Sequence, residues 1–127
     1  MTCLLDTHFI IWITREARRL RSFKWLNHCE PWGVSAISLL EIQILAEGGR
    51  IGTRLPQLTE AIIADPRFVV DDVSLVTLTQ KALTLGRTRD PFDRLICAHS
   101  LVRRVPLCSS DADIQENHKL LVPEIRT

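Results

Sequence analysis

Apolar positions along the chain fall into short unbroken runs, separated by longer stretches where apolar and polar residues recur at helical spacing. Cys3-Leu4-Leu5, Trp32-Gly33-Val34-Ser35, Phe68-Val69-Val70 and residues 105–108 are runs of the first kind. Continuous apolarity over so few residues predicts strands buried on both faces. Residues 119–122 predict a final short strand. The stretches between them predict helices. Residues 16–27 are basic, with Leu20, Phe23 and Leu26 on one face, and residues 36–47 form a second helix stopped by Gly48-Gly49. Residues 57–64 form a third, ended by Asp65-Pro66, and residues 75–85 a fourth. A fifth opens at Asp90-Pro91, where an aspartate cap precedes a proline suited to the first helical position. Residues 52–56 read as a loop, and the apolar stretch 9–13 leaves strand, turn and helix open. Strands alternating with helices imply an α/β fold: a parallel sheet covered on both faces. With no repeat, low-complexity segment or linker, residues 1–127 read as one domain.

Composition changes this picture little. At 127 residues, 46% hydrophobic and 24% charged, the chain is an ordinary globular sequence long enough to bury a core. No apolar run approaches the roughly 18–20 residues of a membrane span and no secretory signal pattern opens the chain, so a cytoplasmic protein is expected. Cys3, Cys29, Cys97 and Cys108 lack zinc spacing, and Cys3, Cys97 and Cys108 sit in apolar segments, as buried inert thiols do. A net charge of +1 argues against a broad polyanion-binding face. Thirteen of the sixteen basic residues are arginine, however, the better fork for phosphate oxygens. They gather at Arg15, Arg18, Arg19 and Arg21 beside Lys24, and again at Arg87, Arg89 and Arg94. A solvated helix face accounts for the first cluster as well as a nucleic acid does.

The chemistry lies in carboxylates. Ligands of an open parallel sheet bind beyond the carboxyl ends of its strands. Asp6 directly follows the first strand, Asp111 follows the fourth through Ser109-Ser110, Glu41 lies inside the second helix, and Asp93 lies in the first turn after Asp90. Four carboxylates in one crevice raise one another's pKa unless a cation intervenes. Oxygen-only ligands select Mg²⁺ or Mn²⁺ over zinc. Each acid also has a purely structural reading. Asp6 and Asp90 can cap helices, Ser38 and Glu41 fit a capping box, and Asp111 suits a turn. Asp71-Asp72 reads as a turn or cap, and Asp113 and Glu116 as solvated. His8, His28, His99 and His118 form no ligand set. No Ser-His-Asp or Cys-His arrangement and no phosphate-cradling glycine loop is visible. Trp12, Trp25 and Trp32 read as core or interface.

These residues resemble the motifs of the PIN-domain family, and among them the VapC-type toxins of bacterial toxin–antitoxin pairs. Leu4-Leu5-Asp6-Thr7-His8 with Trp12 is similar to the first motif, and Val34-Ser35-Ala36 through Glu41-Ile42 to the second. Asp90-Pro91-Phe92-Asp93-Arg94-Leu95-Ile96 resembles the third closely, and Ser109-Ser110-Asp111 the fourth. The resemblance implies a PIN-like three-layer fold and a Mg²⁺- or Mn²⁺-dependent ribonuclease. Asp6, Glu41, Asp93 and Asp111 would be its catalytic, metal-binding acids and Asp90 an accessory. Thr7 and Ser109 would orient Asp6 and Asp111. It further implies an RNA substrate, a homodimer and a cognate antitoxin. Leu40 stands where an aromatic is usual, Ser109 replaces threonine, the chain has no tyrosine, and Cys97-Ala98-His99 replaces an Ala-Gln pattern. These departures bear on substrate preference and antitoxin fit more than on catalysis. The competing reading is a non-catalytic PIN-like module that binds RNA or protein; a receiver domain fails on motif order. Residues 9–13 and 39–45 are more apolar than one small core requires, which predicts a surface covered by a second subunit or an antitoxin.

Overall fold

The computed structural model describes residues 1–49 and 57–126, so the predicted 52–56 loop lies outside the described residues. Four strands, β1 (Cys3–Leu5), β2 (Trp32–Ser35), β3 (Phe68–Asp71) and β4 (Leu107–Cys108), pair in the order β3-β2-β1-β4, all parallel. The register aligns Leu4 with Gly33 and Leu107, and Gly33 with Val69. Gly33 is required there, since a Cβ would run into the Met1 side chain and lie 2.9 Å from the Cys3 carbonyl oxygen. Helices α1 (Thr7–Thr14), α2 (Ala36–Glu47), α3 (Gln57–Ala64), α4 (Leu75–Ala82), α5 (Pro91–Arg103) and α6 (Ala112–Asn117) complete the fold.

Alternation along β1 separates two hydrophobic clusters. Cys3 and Leu5 join Phe9, Ile10, Val34, Ile42 and Ile62, whereas Leu4 joins Ile96, Cys97, Leu107 and Ile114. The sheet is therefore the middle of three layers, and the PIN-like three-layer arrangement is borne out. Among the described residues no helix is long and apolar enough to cross a membrane.

Several elements differ from expectation. Residues 16–27 do not form one helix. Helix α1 ends in a left-handed turn at Glu16 (φ 51°), with Glu16 N–H on the Ile13 carbonyl and Ala17 N–H on that of Trp12. Two 3₁₀ segments follow, Arg18–Ser22 and Lys24–Cys29, broken at Phe23. The fourth strand is only Leu107–Cys108, because Pro106 has no N–H for a ladder, although its carbonyl still accepts from Leu4. The final strand reduces to a single bridge between Leu121 and Leu107. The open stretch 9–13 is helix, and Phe9, Ile10, Ile11 and Ile13 are consumed by the chain's own core. Of residues 39–45, Leu40 and Ile44 do remain exposed; Ile63 of α3 and Leu75, Val76 and Leu83, on and just beyond α4, are more exposed still. Trp32 is core, and Cys3, Cys97 and Cys108 are buried free thiols, with burial pushing Cys3 and Cys97 up to about 12.

Candidate active site

All the predicted acids stand at the carboxyl edge of the sheet or on helices that open there. Asp6 leaves β1 and caps α1, its Oδ1 accepting from Phe9 N–H at 3.0 Å. Asp111 follows β4 and caps α6 through Ile114 N–H at 3.0 Å. Asp90 caps α5, accepting from the backbone N–H groups of Phe92 and Asp93 at 2.9 and 3.0 Å. The capping readings are therefore correct for Asp6 and Asp90, whereas Asp111, read as a turn residue, caps a helix instead. Each cap uses Oδ1, and a carboxylate has a second oxygen, so capping and ligation do not exclude each other. The Ser38–Glu41 capping box does not form: Ser35 is the N-cap residue of α2, and Ser38 lies inside the helix, buried against Thr7.

Glu41, Asp90 and Asp93 come closest together, each offering a carboxylate oxygen within 4.8 Å of the others. Asp6 and Asp111 stand outside that trio but within electrostatic reach. Burial lifts Asp93 to about 7, and the charges of Asp90, Glu41, Asp111 and Asp6 all push the same way. Burial also raises Glu41, opposed by a Thr7 hydrogen bond and aided by Asp90. Asp6 is raised by its burial, against hydrogen bonds from the Ser109 hydroxyl and Phe9 N–H. Asp90, predicted as an accessory, sits inside the tight trio. Thr7 serves Glu41 rather than Asp6, and Ser109 serves both predicted neighbours, donating to Asp6 and accepting from Asp111 N–H at 3.1 Å.

This donor set fits a hard divalent cation. Among the described residues none of the five acids has an ion-pair partner, and Arg94 turns away to donate to the Ala82 carbonyl. Glu41 Oε1 is buried with no hydrogen-bond partner, a costly state for a carboxylate oxygen unless a cation fills it.

Sequence reading missed two features. His8, exposed at the start of α1, lowers both Asp6 and Glu41 by its charge. Asp71 is no turn residue. It ends β3 and takes His99 Nε2 at 2.7 Å and Arg103 Nε at 2.8 Å, while His99 Nδ1 meets Ser35 Oγ at 2.9 Å. A Ser-His-Asp chain thus exists after all, but Ser35 and His99 are fully buried, so it holds strands to α5 and offers no nucleophile. The available signal was a histidine inside the apolar run of α5, where only a partnered imidazole is stable.

Comparison with known proteins agrees with this geometry. The PIN domain family matches residues 3–120. Ribonuclease VapC22 of Mycobacterium tuberculosis strain H37Rv is 31% identical over 119 residues, spanning 91% of this chain and 92% of that protein. With four parallel strands delivering acids to one edge and a match across nearly the whole length, the chain belongs to the PIN-domain family, among its VapC-type members.

Proposed function

We propose that this chain is a metal-dependent endoribonuclease of the VapC type, one domain over residues 1–127, acting in the cytoplasm and restrained by a cognate antitoxin. The observation that carries the reading is Asp93. Its carboxyl is lifted to about 7, first by burial and then by the charges of four other carboxylates, and among the described residues none of the five has an ion-pair partner. Asp6, Glu41, Asp93 and Asp111 would hold Mg²⁺ or Mn²⁺, with Asp90 contributing from the trio. A bound divalent cation supplies Lewis-acid activation of water and neutralises charge on the scissile phosphate. The chain's own groups prepare for it. Ser109 and the α1 N-terminus fix Asp6, Thr7 fixes one side of Glu41, and a bound cation would favour the ionised form of Asp93. The relative's printed name, a ribonuclease, supports RNA as substrate. Exposed Leu40 and Ile44 of α2, with Leu75, Val76 and Leu83, support burial of apolar surface by a second copy or by the antitoxin. Sedimentation of the purified chain is expected to give a dimer at micromolar concentration; a monomer would remove that part of the reading.

The test is RNA cleavage with the ion varied. Mg²⁺ and Mn²⁺ should support it, EDTA should abolish it, and larger Ca²⁺ should support it poorly because its looser geometry suits the reaction less. Glu41→Gln and Asp93→Asn should each abolish cleavage while circular dichroism stays unchanged. Full activity in EDTA would overturn the mechanism. RNA bound but uncut with every ion would leave a binding module.

A further inference from the structure

We propose that the groove between α1 and α2 carries the RNA strand away from the carboxylates, with Arg15 and Arg19 holding its phosphates. This rests on the ribonuclease reading and adds a substrate path to it. The groove, about 580 Å³, is lined by His8, Ile11, Trp12, Arg15, Arg19 and Leu45. Its His8 end lies towards the acids, since the charge of that residue reaches Asp6 and Glu41. Asp6 caps α1, and His8, Trp12 and Arg15 follow on one face of that helix; Leu45 lies one turn beyond Glu41 on α2. Arg15 is thus about 13 Å along α1 from Asp6, at 1.5 Å per residue.

The lining chemistry suits a polyanion. Arg15, Arg19 and His8 are exposed, and no carboxylate lines the groove. Neither arginine is in an ion pair among the described residues. Arg19 is also preset. Its guanidinium lies 4.5 Å over the Trp12 ring, whose plane is nearly parallel to that of Phe23 at 6.4 Å. A stacked guanidinium keeps its N–H edge free and loses less freedom when it meets a phosphate. Ile11 is buried beneath, and the accessible wall sets the two arginines and His8 beside the half-buried Trp12 and Leu45.

The rest of the basic cluster faces elsewhere. Arg18, Arg21 and Lys24 line a separate cavity with Trp32 and Arg67, at the opposite edge of the sheet. Arg67 there is already neutralised by Asp65 at 2.8 Å. The break after α1 therefore sorts one run of arginines onto two sides, and that sorting supplies the control.

A fluorescein-labelled single-stranded RNA of mixed sequence is titrated by anisotropy with Ca²⁺ replacing Mg²⁺, across a range of salt. The pair Arg15→Ala with Arg19→Ala should weaken binding about tenfold and reduce the salt slope by about 1.4, at roughly 0.7 per lost phosphate contact. The pair Arg18→Ala with Arg21→Ala removes equal charge from the same segment and should stay within about twofold of wild type. Arg19→Lys should fall between Arg19→Ala and wild type, because charge survives and the stack does not. Equal weakening by both pairs, or by neither, overturns the groove. So does unchanged RNA binding in the first pair with loss of antitoxin capture, which would assign the groove to protein. Cleavage assays in Mg²⁺ separate the two readings. A wild type that never cuts RNA sinks the enzyme, whereas cutting with an unchanged KM in the first pair sinks only the groove.

Discussion

Asp71 packs against α5 and Asp93 lies in its first turn, and both lose water there, yet their acidities move in opposite directions. Burial pushes Asp71 up, but hydrogen bonds from His99 and Arg103 outweigh it and hold the carboxyl below its ordinary range. Burial pushes Asp93 up as well, and every neighbour that follows is another carboxylate, so it reaches about 7. One end of the helix is balanced by its own side chains and needs nothing further. The other has no ion-pair partner among the described residues, and the proposed cation would supply the missing charge. Unbalanced burial marks the candidate site, and balanced burial marks the scaffold behind it. The balanced network ties the ends of β2 and β3 to α5, and both α2 and α5 carry site acids.

Breaking the balanced end should cost most. His99→Ala removes a fully buried ring, takes from Ser35 Oγ its hydrogen-bond partner and leaves Asp71 with Arg103 alone, so urea unfolding should show a loss of about 3 kcal/mol. A loss below about 0.5 kcal/mol, as at an ordinary surface site, would mean that the network does not secure the helix. Filling the unbalanced end comes next. Wild type should gain about 2.7 kcal/mol from Mg²⁺ at a hundredfold excess over Kd, and Asp93→Asn much less, as read from paired melting curves.

The same substitution without metal should act in the other direction. Asp93 has a folded pKa of about 7 against roughly 3.9 unfolded, so the folded state holds its proton more tightly. Stability from this group is fully present below about pH 4 and lost as pH rises through about 7. In EDTA at pH 8, Asp93→Asn should therefore be the more stable protein, by about 1 kcal/mol once solvent screening of a half-buried group is allowed for. Its advantage should fade towards pH 4. A variant less stable than wild type at pH 8 would return Asp93 to a helix-start role.

Much of the unbalanced end could be read from residue order alone, and the balanced end could not. Asp6, Asp93 and Asp111 declare themselves because each follows a strand or opens a helix, and topology alone brings such positions to one edge. Asp71 sits at an equivalent strand end, and order alone made it a turn residue. What distinguishes it is its partners: His99 is 28 residues away and Arg103 is 32, contacts fixed only once α5 has packed. Local pattern likewise failed at Glu16. Residues with helical preferences surround it, but a left-handed residue there ends α1 with two hydrogen bonds and turns the basic segment onto a new path. Strand β4 was overextended for a simpler reason, since apolar pattern does not register the N–H that Pro106 lacks.

The smallest expected effect sharpens the comparison most directly. Arg103 is the exposed member of the balanced network, with 42% of its side chain accessible, and it also donates through Nη2 to the Asp72 carbonyl. An exposed partner contributes little, so Arg103→Met should cost only about 0.5–1 kcal/mol at pH 7. Its pH dependence should mirror that of Asp93→Asn. Asp71 has a lowered folded pKa, so its contribution is present above the ordinary carboxylate range and is lost as pH falls through the folded value. Removing Arg103 lets that pKa climb back, with the His99 bond still in place. The deficit of the variant should therefore be largest near neutrality and should shrink in acid, once Asp71 is protonated in both proteins. Denaturation midpoints collected from pH 3 to 8 in EDTA would place the two variants on one plot. The Asp93→Asn gap opens as pH rises in favour of the variant, and the Arg103→Met gap opens as pH rises in favour of wild type. Two gaps of the same sign would mean that Asp71 and Asp93 sit in equivalent surroundings, and the contrast between the two ends of α5 would fail.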